Sequence, residues 1–398
     1  MIWRRQAWRL LRAVRTIDVA VTRRDVRRAV LVDGRTPMNY AMVAPVRAAM
    51  AADSRVRFYF TSSEAASRTP EVYPVSLPAA TRVSPRRAAC MRFDAYLTAD
   101  LLWATLPRGT RRIQMFHGVS GKFTHDYDTP RSSMRRWDRL FFVNRRRMQN
   151  FIAAGAIDAD SGAARLIGMP KVDCLVDGSL DRDDILLSHG LNPERPTVLY
   201  APTWSAASSL NVMGIDLVDR LLARSWNVIV KLHDRSLDPR PFYSGGIDWR
   251  ARLQVLLEGR TGHLAICADI CPYLAAADAM ITDHSSAGFE YLLLDRPIIR
   301  IHVPELLRAT NINPDYVSLL AEAATSVEGP VAAVAAIEHA LASPHERSAA
   351  RRAVAQELFY LPGTATARAV EELYRVLELP PVSVLQPSRD DCHAPMTT

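Results

Sequence analysis

Three short stretches of this chain carry residues suited to proton transfer and anion binding. The first is His117–Gly118–Val119–Ser120–Gly121–Lys122. A histidine with a pKa near neutrality can serve as general base, and the two glycines allow a tight turn beside a bound group. The spacing is not that of a P-loop, which needs four residues between the glycines and Ser or Thr after the Lys; here two intervene and Phe123 follows. The second stretch is Lys231–Leu232–His233–Asp234–Arg235–Ser236. Imidazole and guanidinium together suit a phosphate oxygen or a leaving phosphate. The third is Asp283–His284–Ser285–Ser286, with Glu290 a few residues on. Ser and Asp at a helix start cap free backbone N–H groups, and where these face a cleft the same groups and the helix dipole bind phosphate. Glu290, about one turn further in, is placed to take a ribose diol in a bidentate hydrogen bond. Taken singly, each stretch also reads as ordinary turn or cap chemistry. Capping explains Asp283 or Ser285 but not the whole third cluster.

The elements around them fix where they stand. Apolar runs at 28–33 (RAVLVD), 56–61, 94–98, 112–116, 140–143 and 165–167 read as strands, separated by helix-like stretches at 40–52 and 145–154. A second series has strands at 197–201, 228–232, 263–266, 279–282 and 298–301. Helices are expected at 215–224, 270–277, from 283 to about 294, and at 331–342, 346–358 and 364–378. Alternation of this kind means βαβ units and parallel sheet. The expected architecture is α/β, two doubly wound Rossmann-like domains facing across a cleft. The boundaries read as a basic N-terminal segment 1–27, an acceptor-side domain 28–180 and a nucleotide-binding domain 190–362. A C-terminal helix 363–379 and a disordered tail 380–398 follow. Ligands of such sheets bind outside the carboxyl ends of the strands, and each chemical cluster directly follows a strand.

Composition narrows the classes. The chain has 398 residues, 48% hydrophobic and 23% charged, which excludes a mainly disordered, collagen-like or coiled-coil protein. Five cysteines are too few for a disulfide framework and suit a reducing cytoplasm. Cys267 and Cys271 have no second pair at zinc spacing and read as buried thiols; no metal ligands and no cofactor are expected. No apolar run is long enough to span a membrane, and no apolar stretch follows the first arginines as in a secretory signal. The net charge of +8 is uneven: nine Arg fall within residues 1–28, and ten Arg with one Lys within 108–147. Such patches point to anionic partners. Residues 2–15 place Trp3, Trp8, Leu10 and Leu11 among arginines, the composition of a helix lying on an anionic membrane surface or docked on its own domain. Of 50 basic residues only three are Lys, at 122, 171 and 231. Each lies in a stretch singled out here on other grounds.

In order along the chain, FHG (116–118), IGMPKVD (167–173), VLYAPTW (198–204), IVKLH (229–233), MITDHSSAGFEYLLLDRPII (280–299) and FYLPGTATARAV (359–370) resemble motifs of the CDP-glycerol glycerophosphotransferase family, the teichoic acid primases and polymerases. The resemblance implies a GT-B fold and transfer of glycerol phosphate from CDP-glycerol, or a related nucleotide-activated donor, to an acceptor hydroxyl. By position, His117 matches the family's proposed base and His233 its histidine at the pyrophosphate. Ser285 and Ser286 match its phosphate-binding serines, and Glu290 stands where the family has a carboxylate near the ribose. Lys122, Thr203, Lys231, Arg235 and Asp283 complete the expected substrate-binding set. This chain departs from the family at Val119–Ser120–Gly121, at Asp234 in place of Pro, at His284 in place of Tyr, and at Arg235, one place early.

The implied reaction is direct displacement at the β-phosphorus, with CMP leaving. It belongs to cell-envelope polymer synthesis, with a lipid-linked or polymer acceptor, at the cytoplasmic face of the plasma membrane. A GT-B glycosyltransferase using a nucleotide sugar for capsule or lipopolysaccharide synthesis is the alternative. A nucleic-acid partner is not expected, because it leaves the three strand-tip clusters without a purpose.

Overall fold

The computed structural model describes residues 27–64, 72–123 and 131–382. The expected N-terminal amphipathic helix and nearly all of the expected tail lie outside the described residues. Two six-stranded sheets, parallel throughout, carry the fold. The first contains β1 (Arg28–Asp33), β2 (Val56–Thr61), β3 (Ala95–Thr98), β4 (Arg111–Met115), β5 (Arg139–Phe142) and β6 (Ala164–Leu166) in the order β2-β1-β3-β4-β5-β6. The second contains β7 (Thr197–Tyr200), β8 (Asn227–Lys231), β9 (Gly262–Ala265), β10 (Ala279–Thr282), β11 (Ile298–Ile301) and β12 (Thr325–Val327) in the order β12-β11-β10-β7-β8-β9. Central strands such as AYLT, TVLY and AMIT are buried at every residue, as expected of parallel strands covered on both faces. Strand order reverses between β1 and β3 in one sheet and between β7 and β10 in the other. Such switch points open a crevice at the carboxyl ends of the strands.

The helices that matter for the site are α1 (Pro37–Ala49), α2 (Arg145–Ala153), α3 (Ser209–Leu222), α4 (Ala287–Tyr291), α5 (Pro304–Thr310), α6 (Pro314–Ala323), α7 (Gly329–Ala342), α8 (Ser348–Leu358) and α9 (Ala365–Leu377). Three regions differ from expectation. The helix expected from 283 to about 294 is only five residues of α-helix and a 3-10 turn, Leu292–Leu294, ended by Asp295 at φ 51°. The segment 302–324, where no helix was expected, forms α5 and α6. Pro304 and Pro314 occupy their first turns, where a missing N–H costs nothing. The stretch between the two expected domains, the crossover, also holds a helix, Arg182–Ser188, capped by the Asp181 carboxylate.

The end of the chain returns to the first sheet. Asp173 accepts from the backbone N–H groups of Gly363 (2.8 Å), Ala365 (3.2 Å) and Thr366 (2.7 Å), and so caps α9 from a distant segment. Arg368 Nε donates to Ile167 O at 2.7 Å. Gly168, at φ 92°, is needed there: a Cβ would stand 2.6 Å from Tyr360 O. The IGMPKVD and FYLPGTATARAV stretches therefore form one clasp between the start of the crossover and the last helix.

Candidate active site

His117 stands two residues past β4. Its Nδ1 hydrogen-bonds the Ala99 carbonyl, at the end of neighbouring β3. A carbonyl only accepts, so Nδ1 carries the proton and Nε2 keeps the lone pair. Burial lowers the His117 pKa; Asp100 works against this, while Arg147 and Lys171 add to it. The ring is thus a neutral base at physiological pH. The loop after it is held from α2: Arg147 Nη1 donates to Gly118 O (2.7 Å) and Ser120 O (3.1 Å), and Asn144 Nδ2 donates to Val119 O (2.7 Å). A Cβ on Gly118 would come within 2.8 Å of Arg147 Nη1, and Gly118 has no positive φ. Gly118 therefore makes room for a guanidinium rather than enabling the tight turn expected. Nothing in the run Arg145–Arg147 marked Arg147 as different from its solvated neighbours.

His233 stands two residues past β8, and its Nδ1 accepts the Arg235 backbone N–H at 3.1 Å. The proton of the neutral ring is therefore on Nε2. Burial, and then Lys231, Arg235, Lys122 and Lys171, push the His233 pKa down to about 3. Lys231 is itself buried, donates to Leu232 O at 2.6 Å, and has its pKa lowered by burial. The Arg235 guanidinium lies over the Trp204 ring at 4.4 Å.

At the second switch point, Asp283 is fully buried and accepts four hydrogen bonds. These come from Thr203 N (2.7 Å), His284 N (2.6 Å), Ser209 N (3.1 Å) and Ser209 Oγ (2.9 Å). Its acceptor positions are used up, so it ties the turn after β7 to the turn after β10 and to the start of α3. Expected among the substrate-binding residues, it acts on the site by positioning. Ser285 is half-buried and its Oγ accepts the Ala287 N–H at 3.4 Å; Ser286 is exposed.

Glu290 differs from expectation in its partner. Both its oxygens accept from Lys171 Nζ, at 2.8 and 2.7 Å, in a buried ion pair. Burial disfavours the Lys171 ammonium, but Glu290 with Cys271 and Asp269 together outweigh it and raise the pKa. Motif reading left Lys171 unassigned; its survival as Lys in an Arg-rich chain was the signal that set it apart.

Further contacts besides the Lys171–Glu290 pair join the halves. Lys122 Nζ donates to the buried Thr203 hydroxyl at 3.2 Å, and the Asn313 N–H donates to Lys122 O at 2.8 Å. Lys171 is within electrostatic reach of both His117 and His233, and Lys122 of His233 and His284. His117, Lys122, Lys171, Thr203, Lys231, His233 and Asp283 thus gather where the carboxyl ends of the two sheets meet. Cys271 is buried and donates to Lys171 O at 3.4 Å, and Cys267 donates to Asp269 O at 3.0 Å. Among the described residues no group of three or more His, Cys, Asp or Glu is placed to hold a metal ion, and no helix is long and apolar enough to cross a membrane. In the second basic patch, Arg111 pairs with Asp138, Arg135 with Asp158, Arg146 with Glu357 and Arg139 with Glu372.

Two doubly wound sheets with their carboxyl ends facing define a protein of the GT-B class. The chain belongs to the CDP-Glycerol:Poly(glycerophosphate) glycerophosphotransferase family, whose model matches residues 43–373. The solved wall teichoic acid polymerase TagF superposes with a TM-score of 0.68 at 17% identity, covering 94% of this chain and 95% of that one. The UDP-GlcNAc 2-epimerase of Neisseria meningitidis superposes with a TM-score of 0.56 at 14% identity, covering 87% of this chain and 100% of that one. At these identities the likeness concerns the fold. In sequence, the teichoic acid poly(glycerol phosphate) polymerase of Staphylococcus epidermidis is 28% identical over 177 residues, 41% of this chain and 22% of that protein. The enzyme of the same name from Bacillus spizizenii is 22% identical over 230 residues, 52% of this chain and 54% of that protein. The matched region is thus about a fifth of one curated relative and about half of the other.

Proposed function

We propose that this chain transfers glycerol phosphate, or a related polyol phosphate, from CDP-glycerol to an acceptor hydroxyl in the synthesis of a teichoic-acid-like envelope polymer. The observation that carries this reading is the pair of neutral histidines with opposite tautomers at facing sheet ends, one of them set among four cations. His117 Nε2 takes the acceptor proton as the acceptor oxygen bonds to the β-phosphorus. The bond from that phosphorus to the bridging oxygen breaks, and CMP leaves with the electron pair. The His233 N–H, with Lys231, Arg235 and Lys122, meets the charge that develops on the leaving phosphate. Ser285 and Ser286 contribute hydroxyls to the donor phosphates, and Thr203 orients Lys122. Glu290 acts through Lys171, holding an ammonium beside both histidines. Family membership supports the donor, as does a TagF variant structure soaked with CDPG.

The acceptor is read as lipid-linked or polymeric. Attachment to the anionic cytoplasmic membrane surface is assigned to residues 1–15, through Trp3, Trp8, Leu10, Leu11 and the nearby arginines. Purified chain offered CDP-glycerol and a panel of nucleotide sugars, with a glycerol phosphate acceptor, should release CMP from CDP-glycerol and spare the sugars. Release of UDP or CDP from a nucleotide sugar, without CMP, would establish the glycosyltransferase alternative instead. Binding to anionic vesicles should weaken at high salt and be lost on deleting residues 1–15.

A further inference from the structure

The polar groups at the ends of β10 and β11 are not used up by the arrangement above. These strands are parallel neighbours with Thr282 opposite Arg300, and the same register carried two residues further sets His284 opposite His302. Alternate residues share a face, so Arg300 and His302 stand on one side. The His284 and His302 rings are 6.4 Å apart at 78°. His284 is fully buried, and neither of its ring nitrogens has a hydrogen-bond partner among the described residues. The same holds for His302 Nδ1 and for Nη1 of the buried Arg300. The other side of that guanidinium is held by Ser326 Oγ of β12, at 3.1 and 2.8 Å.

Buried polar groups are nearly always satisfied, so several unsatisfied ones at one strand end point to a ligand. Its charge follows from the neighbours. Arg300, Lys122 and His302 all lie within electrostatic reach of His284. The adjacent carboxylate, Asp283, is already committed to four other donors. The cluster is therefore built from donors and cations. Lys122 is within reach of both His284 and His233, but Arg300 and His302 stand apart from Lys231 and Arg235. The strand order β11-β10-β7-β8 puts three strand intervals, about 14 Å, between the end of β11 and the end of β8. Its cover is the loop bearing His117: the Asn313 N–H holds Lys122 O, and Phe123 bridges Ile312.

We propose that His284, Arg300 and His302, with Lys122 from the facing loop, form an anion subsite for a phosphodiester of the acceptor, beside the donor diphosphate. The assignment to the acceptor rests on the reaction proposed above, because Lys122 shares its loop with the base that meets the acceptor hydroxyl. Entry accompanies separation of the two domains. His284, where the family has Tyr, makes this subsite particular to this chain.

The test is calorimetric titration of the full chain with glycerol 3-phosphate, with and without saturating CMP. Glycerol 3-phosphate should bind in both conditions. His284→Phe and Arg300→Met should each weaken it about tenfold or more, as expected for loss of a charge-assisted hydrogen bond, and leave CMP affinity unchanged. His302→Gln, at a half-buried position, should weaken it in the same direction and decides the matter if the buried variants lose cooperative melting. Three results would overturn the subsite: no binding of glycerol 3-phosphate to the wild-type chain, its displacement by CMP, or wild-type affinity in the variants. A chain that binds glycerol 3-phosphate through these residues but never binds CMP would instead remove the donor reading and leave the anion subsite standing.

Discussion

His117 and His233 occupy the same place in the two halves of the molecule, two residues beyond the carboxyl end of a parallel strand. Their surroundings make them opposites. The Ala99 carbonyl puts the proton of His117 on Nδ1, while the Arg235 N–H takes the lone pair of His233 Nδ1. Around His117 the charge of Asp100 works against Arg147 and Lys171, whereas the charged groups that act most on His233, Lys231, Arg235, Lys122 and Lys171, are cations. One sheet end thus presents an imidazole lone pair and the other an imidazole N–H set among cations, the division of roles proposed above. A shared βα position supplies the place, and one backbone group sets the tautomer: the Ala99 carbonyl beyond neighbouring β3 for His117, the Arg235 N–H in the following turn for His233.

The largest expected effect breaks this pairing at its basic half. His117→Ala should lower the rate of CMP release with acceptor present by about 10²–10⁴-fold while CMP affinity stays unchanged. His233→Ala should weaken CMP binding as well as turnover. If the two substitutions have interchangeable effects, the division of roles fails.

A second substitution asks what joins the halves. Glu290→Gln leaves the Lys171 ammonium buried without its counter-charge, at a cost of about 3–5 kcal/mol, readable by chemical denaturation. Adding Lys171→Met should recover most of it. If Glu290→Gln leaves stability intact and selectively impairs discrimination between ribose and deoxyribose donors, the carboxylate meets the donor sugar as the motif implied.

The smallest effect is a pH dependence. The His233 pKa is about 3, and those of His284 and His263 about 4, against 6.5 unfolded; burial is the leading cause in each. Between these values the unfolded chain binds more protons than the folded one, so stability rises with pH there. It is fully present above about pH 6.5 and lost as pH falls toward 4 and 3. His233→Gln should flatten the dependence of the melting midpoint over that window. An unchanged slope would mean His233 titrates normally.

Much of this was visible in the residues. Runs such as RAVLVD, FYF and AMIT are legible because parallel strands buried on both faces are continuously apolar, and the chemistry follows each run directly. The breaks between α5, α6 and β12 were not legible, since prolines at helix starts look like loop residues and β12 is three residues long. The pairing of Glu290 with Lys171 spans 119 positions and depends on how the crossover packs against the second sheet. The His117 tautomer depends on strand order: Ala99 meets His117 only because β3 lies beside β4.

The measurement closest to the central claim is the tautomeric state of the two rings. Histidine-selective ¹⁵N NMR of the full chain, with assignments from His117→Gln and His233→Gln, reports which nitrogen carries the proton. The hydrogen bonds of the two rings predict a protonated Nδ1 in His117 and a protonated Nε2 in His233, both neutral at pH 7, with His233 still neutral at pH 5. The same tautomer in both rings, or a His233 that titrates near 6.5, would contradict it.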